Sequence, residues 1–561
     1  MFGVIWIGFG SPVYGQQKKI NNAVFSREDS LKGGARTAGR HYRVSHYRLQ
    51  VRLFPEKQSL QGEVHMQFRC DSSWVPGDSL RVELHPQLAV EAVFLEGHGA
   101  LAFHRRGRFL WLKLPGEDIA ADSLQTMRIQ YQGQPPVAEK PPWQGGFVWS
   151  RDSLHRPWVA IACQGVGASV WWPCKDHPTA EPDSVDLIYE VPAPYRAVAN
   201  GRLQSVDTLA SDGRPFLAYH WKVRHPINLY NITLNMGHYR TIGDSVEPGG
   251  PYFRYQFLDY HRARAAAYLP DEVRRMFAAF HHWFGPYPFP KDGYQVVETP
   301  YLGMEHQSAV AYGNQFERNR FGFDFILVHE TAHEYWGNSL SAPDQGELWI
   351  HESFATYAEA LYMEYHHGYP AALKYLQAQR TRIRNQARIF GPRRVAFHAW
   401  PDNDLYYKGA WVLHTFRHAS RLNATQWQQI LRALVSQYAH QIVSTAQLTQ
   451  KLNHLTATLR GKPLSWGRSF WDAYLKHPDL PLLEWRLETS QDRSKLHYRW
   501  VHPVADFSMP VKVRIGEEDR WLHPQNGEWQ VLKTESTLSE KDVAWPKKTW
   551  LVTFKKSGTM K

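Results

Sequence analysis

The chain has 561 residues, of which 43% are hydrophobic and 14% aromatic. This composition excludes a disordered chain, because segments that cannot fold are poor in aromatic residues and rich in net charge. At about 150 residues per domain, the length predicts three or four domains. The formal charge is +12, but the basic residues are scattered along the sequence. We therefore expect the charge to serve solubility, and we expect no nucleic-acid partner.

An apolar run at residues 2–9 opens the sequence and is followed by small residues that end at Gly15. The run is too short to span a bilayer, and it is similar to a secretory signal without the positively charged start. We expect residues 1–15 to be a signal segment and the protein to be exported, either to the periplasm or to the extracellular space. If the run is instead a buried strand, a cytoplasmic protein is expected. No other run reaches the roughly 20 apolar residues of a spanning helix, so no integral membrane segment is expected.

Residues 16–40 form an extension ahead of the first regular pattern, which we assign to residues 41–242. In this region hydrophobic and polar residues alternate, as where Tyr47 and Leu49 are separated by Arg48. A period of two is typical of strands that turn one face towards a core. Glycine, proline and aspartate turns separate further runs of the same kind. The region is predicted to be an antiparallel β domain, either a saddle or a sandwich.

The period changes to that of a helix near Pro270, where Asp271 is expected to cap a helix that ends at Gly285. Further elements are predicted as a strand at 294–299 and helices at 324–336, 347–367, 405–422, 425–438 and 445–455. We assign residues 243–478 to this mostly helical domain. Alternation returns after a proline-containing linker, which predicts a small β module at residues 479–561. The fold class is therefore α+β with several domains.

Residues 329–333, His-Glu-Thr-Ala-His, place two histidines four positions apart on a predicted helix. Side chains at this spacing project from one face, so His329 and His333 can bind one metal ion at about 2.0–2.1 Å. Glu352 on the next predicted helix is the candidate third ligand, and this ligand set suits one Zn²⁺ ion. Glu330 would lie beside a zinc-activated water, whose proton it can accept as general base. The predicted chemistry is hydrolysis.

Residues 329–359 resemble the zinc-binding helices of the gluzincin aminopeptidases, the family that includes aminopeptidase N and leukotriene hydrolase. Residues 302–306, Leu-Gly-Met-Glu-His, are similar to the family's Gly-x-Met-Glu-Asn motif and differ from it at the first and last positions. The resemblance implies that Gly303, Met304 and Glu305 bind substrate, with the Glu305 carboxylate holding the free α-amino group. Such a carboxylate pairs with an ammonium and sets where the scissile bond lies relative to the metal.

Two more positions are assigned through the same resemblance. Residues 406–410, Tyr-Tyr-Lys-Gly-Ala, are similar to the family's Tyr-x-Lys-Gly motif. This match implies that Tyr406 donates a hydrogen bond to the oxyanion of the tetrahedral intermediate, with Tyr407 as the alternative. Gln164 corresponds to a residue of a β-domain loop that reaches into the site as a second ligand of the substrate amine. Its other interpretation is a polar residue at a loop tip.

The resemblance covers about residues 40–475 and implies a thermolysin-like catalytic domain. It also implies a zinc-dependent aminopeptidase that acts on peptides with a free N-terminus, using zinc-activated water and Glu330 as general base. Two alternatives remain open: a zinc endopeptidase, which has no use for Glu305, and a non-catalytic zinc-binding relative that acts as an interaction module. Cys163 and Cys174 are expected to be buried thiols, although export would permit one bridge between them.

Overall fold

The computed structural model describes residues 25–34, 39–75, 77–115, 119, 122–210, 213–244, 252–397 and 400–558. The predicted signal segment at residues 1–15 lies outside the described residues, as do residues 16–24 of the predicted extension. The predicted α+β class is confirmed: an N-terminal β region, a mostly helical region and a C-terminal β module follow one another. In the described ranges, no helix combines the length and apolar character needed to cross a bilayer.

The N-terminal region begins with helix α1 (Arg27–Gly33), and its described strands form sheets of eight, four and three strands. The eight-stranded sheet has the order β13-β14-β11-β1-β2-β8-β4-β5. The strands are β1 (Tyr42–Phe54), β2 (Ser59–Cys70), β3 (Ser79–Glu83), β4 (Leu88–Leu95), β5 (Gly99–Ala100), β6 (Phe103–Arg106), β7 (Phe109–Lys113), β8 (Leu124–Gly133), β9 (Gly146–Arg151), β10 (Pro157–Ala162), β11 (Ser184–Pro192), β12 (Arg196–Val198), β13 (Arg202–Leu209), β14 (Phe216–Val223) and β15 (Asn235–Gly237).

Strand β1 shows why alternation predicts this region. Tyr47 and Leu49 are buried, whereas Arg48 between them is exposed, so one face of the strand packs on the core. β1 pairs antiparallel with β2 but in parallel with β11. The expected antiparallel arrangement therefore has one parallel pair in the eight-stranded sheet. The chain leaves this sheet after β8, forms β9 and β10 in the four-stranded sheet, and returns at β11 in the direction of β1.

The helical region also contains a five-stranded sheet with the order β16-β17-β18-β20-β19. The expected boundary at residues 242/243 falls inside β16, which pairs with β17 in this sheet. The elements are β16 (Tyr239–Asp244), β17 (Phe253–Leu258), α2 (Arg262–Phe284), β18 (Tyr294–Glu298), β19 (Gly303–Met304), β20 (Val310–Tyr312), α3 (Phe325–Ala332), β21 (Leu340–Ser341), α4 (Trp349–His367), α5 (Tyr369–Arg380), α6 (Tyr407–Ala419), α7 (Ala424–Gln437), β22 (Gln441–Ile442), α8 (Thr445–Arg460) and α9 (Gly467–Lys476).

Helix α2 corrects the predicted start near Pro270. The helix begins at Arg262, so Pro270 lies in its interior and Asp271 does not cap it. An interior proline costs about 3 kcal/mol relative to alanine. The buried face nevertheless continues through Leu269 and Val273, and its packing outweighs that cost. The end of the helix before Gly285 agrees with the prediction.

The structure contains two helices, α5 and α9, that the sequence patterns do not predict. α5 starts directly after Gly368, and Pro370 in its first turn resembles a stop signal, although the first helical turn tolerates proline. α9 has only 10 residues, which is too short for its period to stand out from the neighbouring aromatic residues. The other predicted helices are present with bounds that differ by a few residues.

The C-terminal module consists of β23 (Leu482–Thr489), β24 (Ser494–Val501), β25 (Val511–Ile515), β26 (Glu518–Leu522), β27 (Gln530–Lys533), β28 (Val543–Ala544) and β29 (Thr553–Lys556). Its apolar residues share one core with the helical region. Leu551 contacts two helices of the helical region, α6 and α9: its N–H donates to Thr415 Oγ1 at 3.0 Å, and its carbonyl oxygen accepts from Tyr474 Oη at 2.7 Å. The module is therefore docked on the helical region through buried contacts.

Candidate metal centre

Helices α3 and α4 bring the three predicted metal ligands together. Asp324 caps α3, its Oδ1 accepting a hydrogen bond from the Leu327 N–H at 3.2 Å, which fixes where the helix begins. His329 and His333 then share one face, and Glu352 extends from the first turn of α4. The two histidine Nε2 atoms are 3.3 Å apart, and each lies 3.5 Å from Glu352 Oε2.

These spacings fit a zinc ion. Ligand atoms at about 2.05 Å from a tetrahedral centre are about 3.3 Å from one another, close to the observed 3.3, 3.5 and 3.5 Å. Two imidazole nitrogens and one carboxylate oxygen are also the donor set that suits this metal. Three protein ligands leave one coordination position for water or substrate, as catalytic zinc requires.

The other ring nitrogens of both histidines are held by hydrogen bonds that point Nε2 inwards. His329 Nδ1 lies 2.7 Å from Glu359 Oε1. His333 Nδ1 lies 3.0 Å from the Trp336 carbonyl oxygen, which can only accept. Each imidazole is therefore a donor at Nδ1, and Nε2 carries the free lone pair that a metal ligand needs.

The acidic groups of the centre have strongly shifted pKa values. Burial alone would raise the pKa of Glu352, but the imidazoles of His333 and His329 outweigh burial and hold this pKa well below its ordinary value. Burial raises the pKa of Glu330 to about 7, and the nearby Glu305 carboxylate adds to this effect while the histidines oppose it. A carboxyl group that titrates near neutral pH is suited to accept and return a proton.

Glu330 lies on the same helix face as the ligands, beside the strand that carries the second motif. A Cβ added to Gly303 of β19 would be 2.8 Å from Glu330 Oε1 and 2.8 Å from Ile326 Cγ2. No side chain fits at this position without displacing the candidate base. Met304 next to it is buried in a small apolar cluster that includes Tyr301.

Glu305 follows β19 and joins the metal-binding cluster. One ligand-type atom each of Glu305, Glu330 and His333 lies within 4.8 Å of the others. Gln164 Nε2 donates to Glu305 Oε1 at 2.8 Å and to Glu352 Oε1 at 2.9 Å, so the loop of the β region does reach the site. Burial raises the pKa of Glu305, and the Glu352 carboxylate adds to the rise while His333 opposes it.

The two tyrosines at the start of α6 differ in their surroundings. The Tyr406 ring is 5.9 Å from the ring of the ligand His329, which puts it beside the metal centre. The Tyr407 hydroxyl instead accepts a hydrogen bond from Arg382 Nη1 at 2.9 Å. Of these two tyrosines, Tyr406 is the one whose ring contacts a metal-ligand side chain.

Two residues of the site carry no signal in the sequence. The Tyr230 hydroxyl donates to Glu305 Oε1 at 2.9 Å, and Asn338 Nδ2 donates to the Glu305 carbonyl oxygen at 3.0 Å. Tyr230 lies in a short 3-10 helix, Leu229–Asn231, and Asn338 lies in a turn; neither is part of a recognisable motif. Cys163 and Cys174, expected as thiols or as one bridge, are buried and free.

A helix with His-Glu-x-x-His and a glutamate on the following helix are typical of the gluzincin class of metallopeptidases. Residues 270–471 match the Peptidase family M1 domain. This match supports the predicted resemblance to the gluzincin aminopeptidases over that part of the chain.

The chain is also similar to several other proteins and solved structures. The chain is 26% identical over 220 residues to Protein TMA108 of Saccharomyces cerevisiae, covering 36% of this chain and 22% of that protein. It is 22% identical over 272 residues to glutamyl aminopeptidase of Rattus norvegicus, covering 44% and 27%. The M1 zinc metallopeptidase of Deinococcus radiodurans superposes with a TM-score of 0.66 at 20% identity. That match covers 81% of this chain and 98% of the other, and it establishes the fold. The chain spans about a quarter of the length of the two relatives.

Proposed function

We propose that this protein is a zinc-dependent aminopeptidase that removes N-terminal residues from peptides. The observation that carries the proposal is the position of Glu305. Its buried carboxylate lies within 4.8 Å of the candidate base Glu330 and the candidate ligand His333. An endopeptidase has no use for an anion at this place, whereas an aminopeptidase needs one for the ammonium of its substrate.

One zinc ion held by His329, His333 and Glu352 would supply Lewis acidity and activate the attacking water. Glu330 accepts the proton of that water and returns it to the leaving amine, which a carboxyl group with a pKa of about 7 can do near neutral pH. Tyr406 donates its hydroxyl proton in a hydrogen bond to the oxyanion as the carbonyl becomes tetrahedral.

The substrate amine binds between Glu305 and Gln164. In the structure Gln164 Nε2 donates hydrogen bonds to Glu305 and Glu352. A substrate ammonium can replace Gln164 Nε2 as the hydrogen-bond donor to the Glu305 carboxylate, and the Gln164 amide oxygen can accept a hydrogen bond from the same ammonium. The anchor lies at a fixed position beside the metal ligands, so the scissile bond falls after the first residue.

The test is hydrolysis of amino-acid anilides and of their N-acetylated counterparts by wild type, Glu330→Gln and Glu305→Gln. We expect wild type to cleave only the free-amine substrates, to lose activity with a chelator and to regain it with zinc. Glu330→Gln should retain zinc but not turn over, and Glu305→Gln should raise KM. Equal cleavage of the acetylated substrates would support the endopeptidase instead, and no hydrolysis by zinc-loaded wild type would support the non-catalytic alternative.

A further inference from the structure

The segment ahead of the β region contacts the loops around the site, although the sequence predicts it only as an extension. Helix α1 has a capping box in which Ser26 Oγ accepts a hydrogen bond from the Asp29 N–H at 3.0 Å. Gly33 packs so closely on the catalytic region that an added Cβ would be 2.0 Å from the carbonyl carbon of Val395. The Ala396 N–H donates to the Asp29 carbonyl oxygen at 2.9 Å.

The β region holds the other side of α1. Arg81 Nη2 donates to the Leu31 carbonyl oxygen at 2.8 Å, and Arg108 Nε pairs with Glu28 Oε1 at 2.8 Å. His177 Nε2 donates to the carbonyl oxygen of Gly33, the last residue of α1, at 3.1 Å. Helix α1 therefore bridges the β region and the catalytic region at one edge of the site.

Lys32 is the α1 residue that reaches the loop carrying Gln164, residues 163–169. Its ammonium donates to the Val166 carbonyl oxygen and lies 3.9 Å from Asp176 Oδ2, and its side chain is only 12% exposed. Asp176 accepts hydrogen bonds from two backbone N–H groups of the same loop, at 3.2 and 3.3 Å. Lys32 thus holds the loop both directly and through Asp176.

The loop has a second support on the catalytic side. Gln345 Nε2 donates to the Gly165 carbonyl oxygen at 3.1 Å. Gln345 and Lys32 therefore hold two successive carbonyl groups, those of Gly165 and Val166, directly after Gln164. That restraint matters because Gln164 Nε2 must lie within hydrogen-bonding distance of two carboxylates at once, at 2.8 and 2.9 Å.

We propose that Lys32 is a positioning residue for the amine-binding end of the site, acting by holding the loop that presents Gln164. The inference rests on the proposed aminopeptidase function. Removing Lys32 takes away the donor to the Val166 carbonyl oxygen and the cation 3.9 Å from Asp176 Oδ2, so the loop loses one of its supports. The substrate ammonium meets Gln164 in both the ground state and the transition state, so a looser loop weakens binding uniformly and raises KM rather than lowering kcat.

The experiment compares full-length wild type, Lys32→Met, Lys32→Arg and the control Arg108→Met on an amino-acid anilide. Arg108→Met removes a contact of the same helix that does not involve the loop. We expect KM to rise about three- to tenfold in Lys32→Met with kcat within about twofold of wild type. Lys32→Arg should restore KM, since a guanidinium can serve both Val166 and Asp176. Hydrogen exchange of residues 163–169 should be faster in Lys32→Met and unchanged in Arg108→Met.

An unchanged KM together with unchanged exchange of residues 163–169 in Lys32→Met would overturn the proposal. So would equal changes in Arg108→Met, because they would show a general effect of docking α1. If Lys32→Met does not fold, Gln345→Ala removes the other support and must give the same rise in KM alone. If wild type does not cleave the anilide, the aminopeptidase function fails, and the exchange of the loop still decides whether Lys32 holds it.

Discussion

Glu359 allows a direct test of the metal centre because it acts through His329. Its Oε1 lies 2.7 Å from His329 Nδ1, and its Oε2 accepts hydrogen bonds from the Tyr375 hydroxyl and from Gln379 Nε2, the latter at 3.1 Å. Glu359→Gln keeps the size and shape of the side chain but removes its negative charge. The perturbation therefore reaches the metal through the basicity and orientation of one imidazole.

The expected magnitude follows from this contact. Losing a carboxylate partner of a ligand histidine lowers metal affinity by about 10- to 100-fold. This range corresponds to about 1.4–2.8 kcal/mol at 25 °C. Glu359 is 4% exposed, so water cannot replace the lost charge, and we expect the upper half of the range.

The assay is zinc binding in competition with a chromophoric chelator, which does not depend on turnover. Glu364→Gln is the matched control: it lies on the same helix and pairs with Arg417 at 2.6 and 2.7 Å, away from the ligands. We expect zinc Kd to rise in Glu359→Gln and to stay at the wild-type value in Glu364→Gln. Zinc affinity equal to wild type in Glu359→Gln would refute the reasoning, as would an equal loss in both variants.

Three further predictions concern neighbouring positions. Gly303→Ala should lower kcat about 100-fold, because the new Cβ displaces the base, with zinc affinity unchanged; a fully active variant would contradict the 2.8 Å contact with Glu330. Tyr406→Phe should lower kcat about 10²- to 10³-fold, and Tyr407→Phe should change it little; the reverse order in steady-state kinetics would exchange their roles. Lys408→Met should lower the free energy of unfolding in urea by about 1–3 kcal/mol, because two backbone carbonyls before the C-terminal module lose their donor. Wild-type stability would argue against that role.

The cluster of candidate metal ligands could be predicted because its geometry is local. His329 and His333 share a face by helix periodicity alone, and Glu352 needs only a second helix packed on the first. The same local logic fails at Pro270, where the sequence signals a helix start and tertiary packing continues the helix across it. Local rules identify a site when one or two adjacent elements build it.

The amine-binding end could be predicted only in part. Glu305 is found through a motif, and Gln164 only through a resemblance, because its loop comes from the β region far away in the sequence. Tyr230 escapes sequence reasoning altogether. Its hydrogen bond to Glu305 joins residues 75 positions apart, and no period or spacing in a single sequence encodes such a contact.

The two ends of the site therefore have different structural origins. The metal end depends on α3 and α4, whereas the amine end exists only where the β region meets the catalytic region, since Gln164 and Tyr230 come from one and Glu305 from the other. Except at Gln164, changes where the β region meets the catalytic region should alter the affinity for a free amine and leave zinc affinity unchanged. Changes at residues that contact the Nδ1 atoms of His329 and His333, such as Glu359, should alter zinc affinity and leave the affinity for a free amine unchanged. Gln164 Nε2 is the contact that joins both ends, because it bridges the amine anchor and the metal ligand Glu352. A Gln164 variant is accordingly the one substitution expected to couple metal affinity to amine affinity.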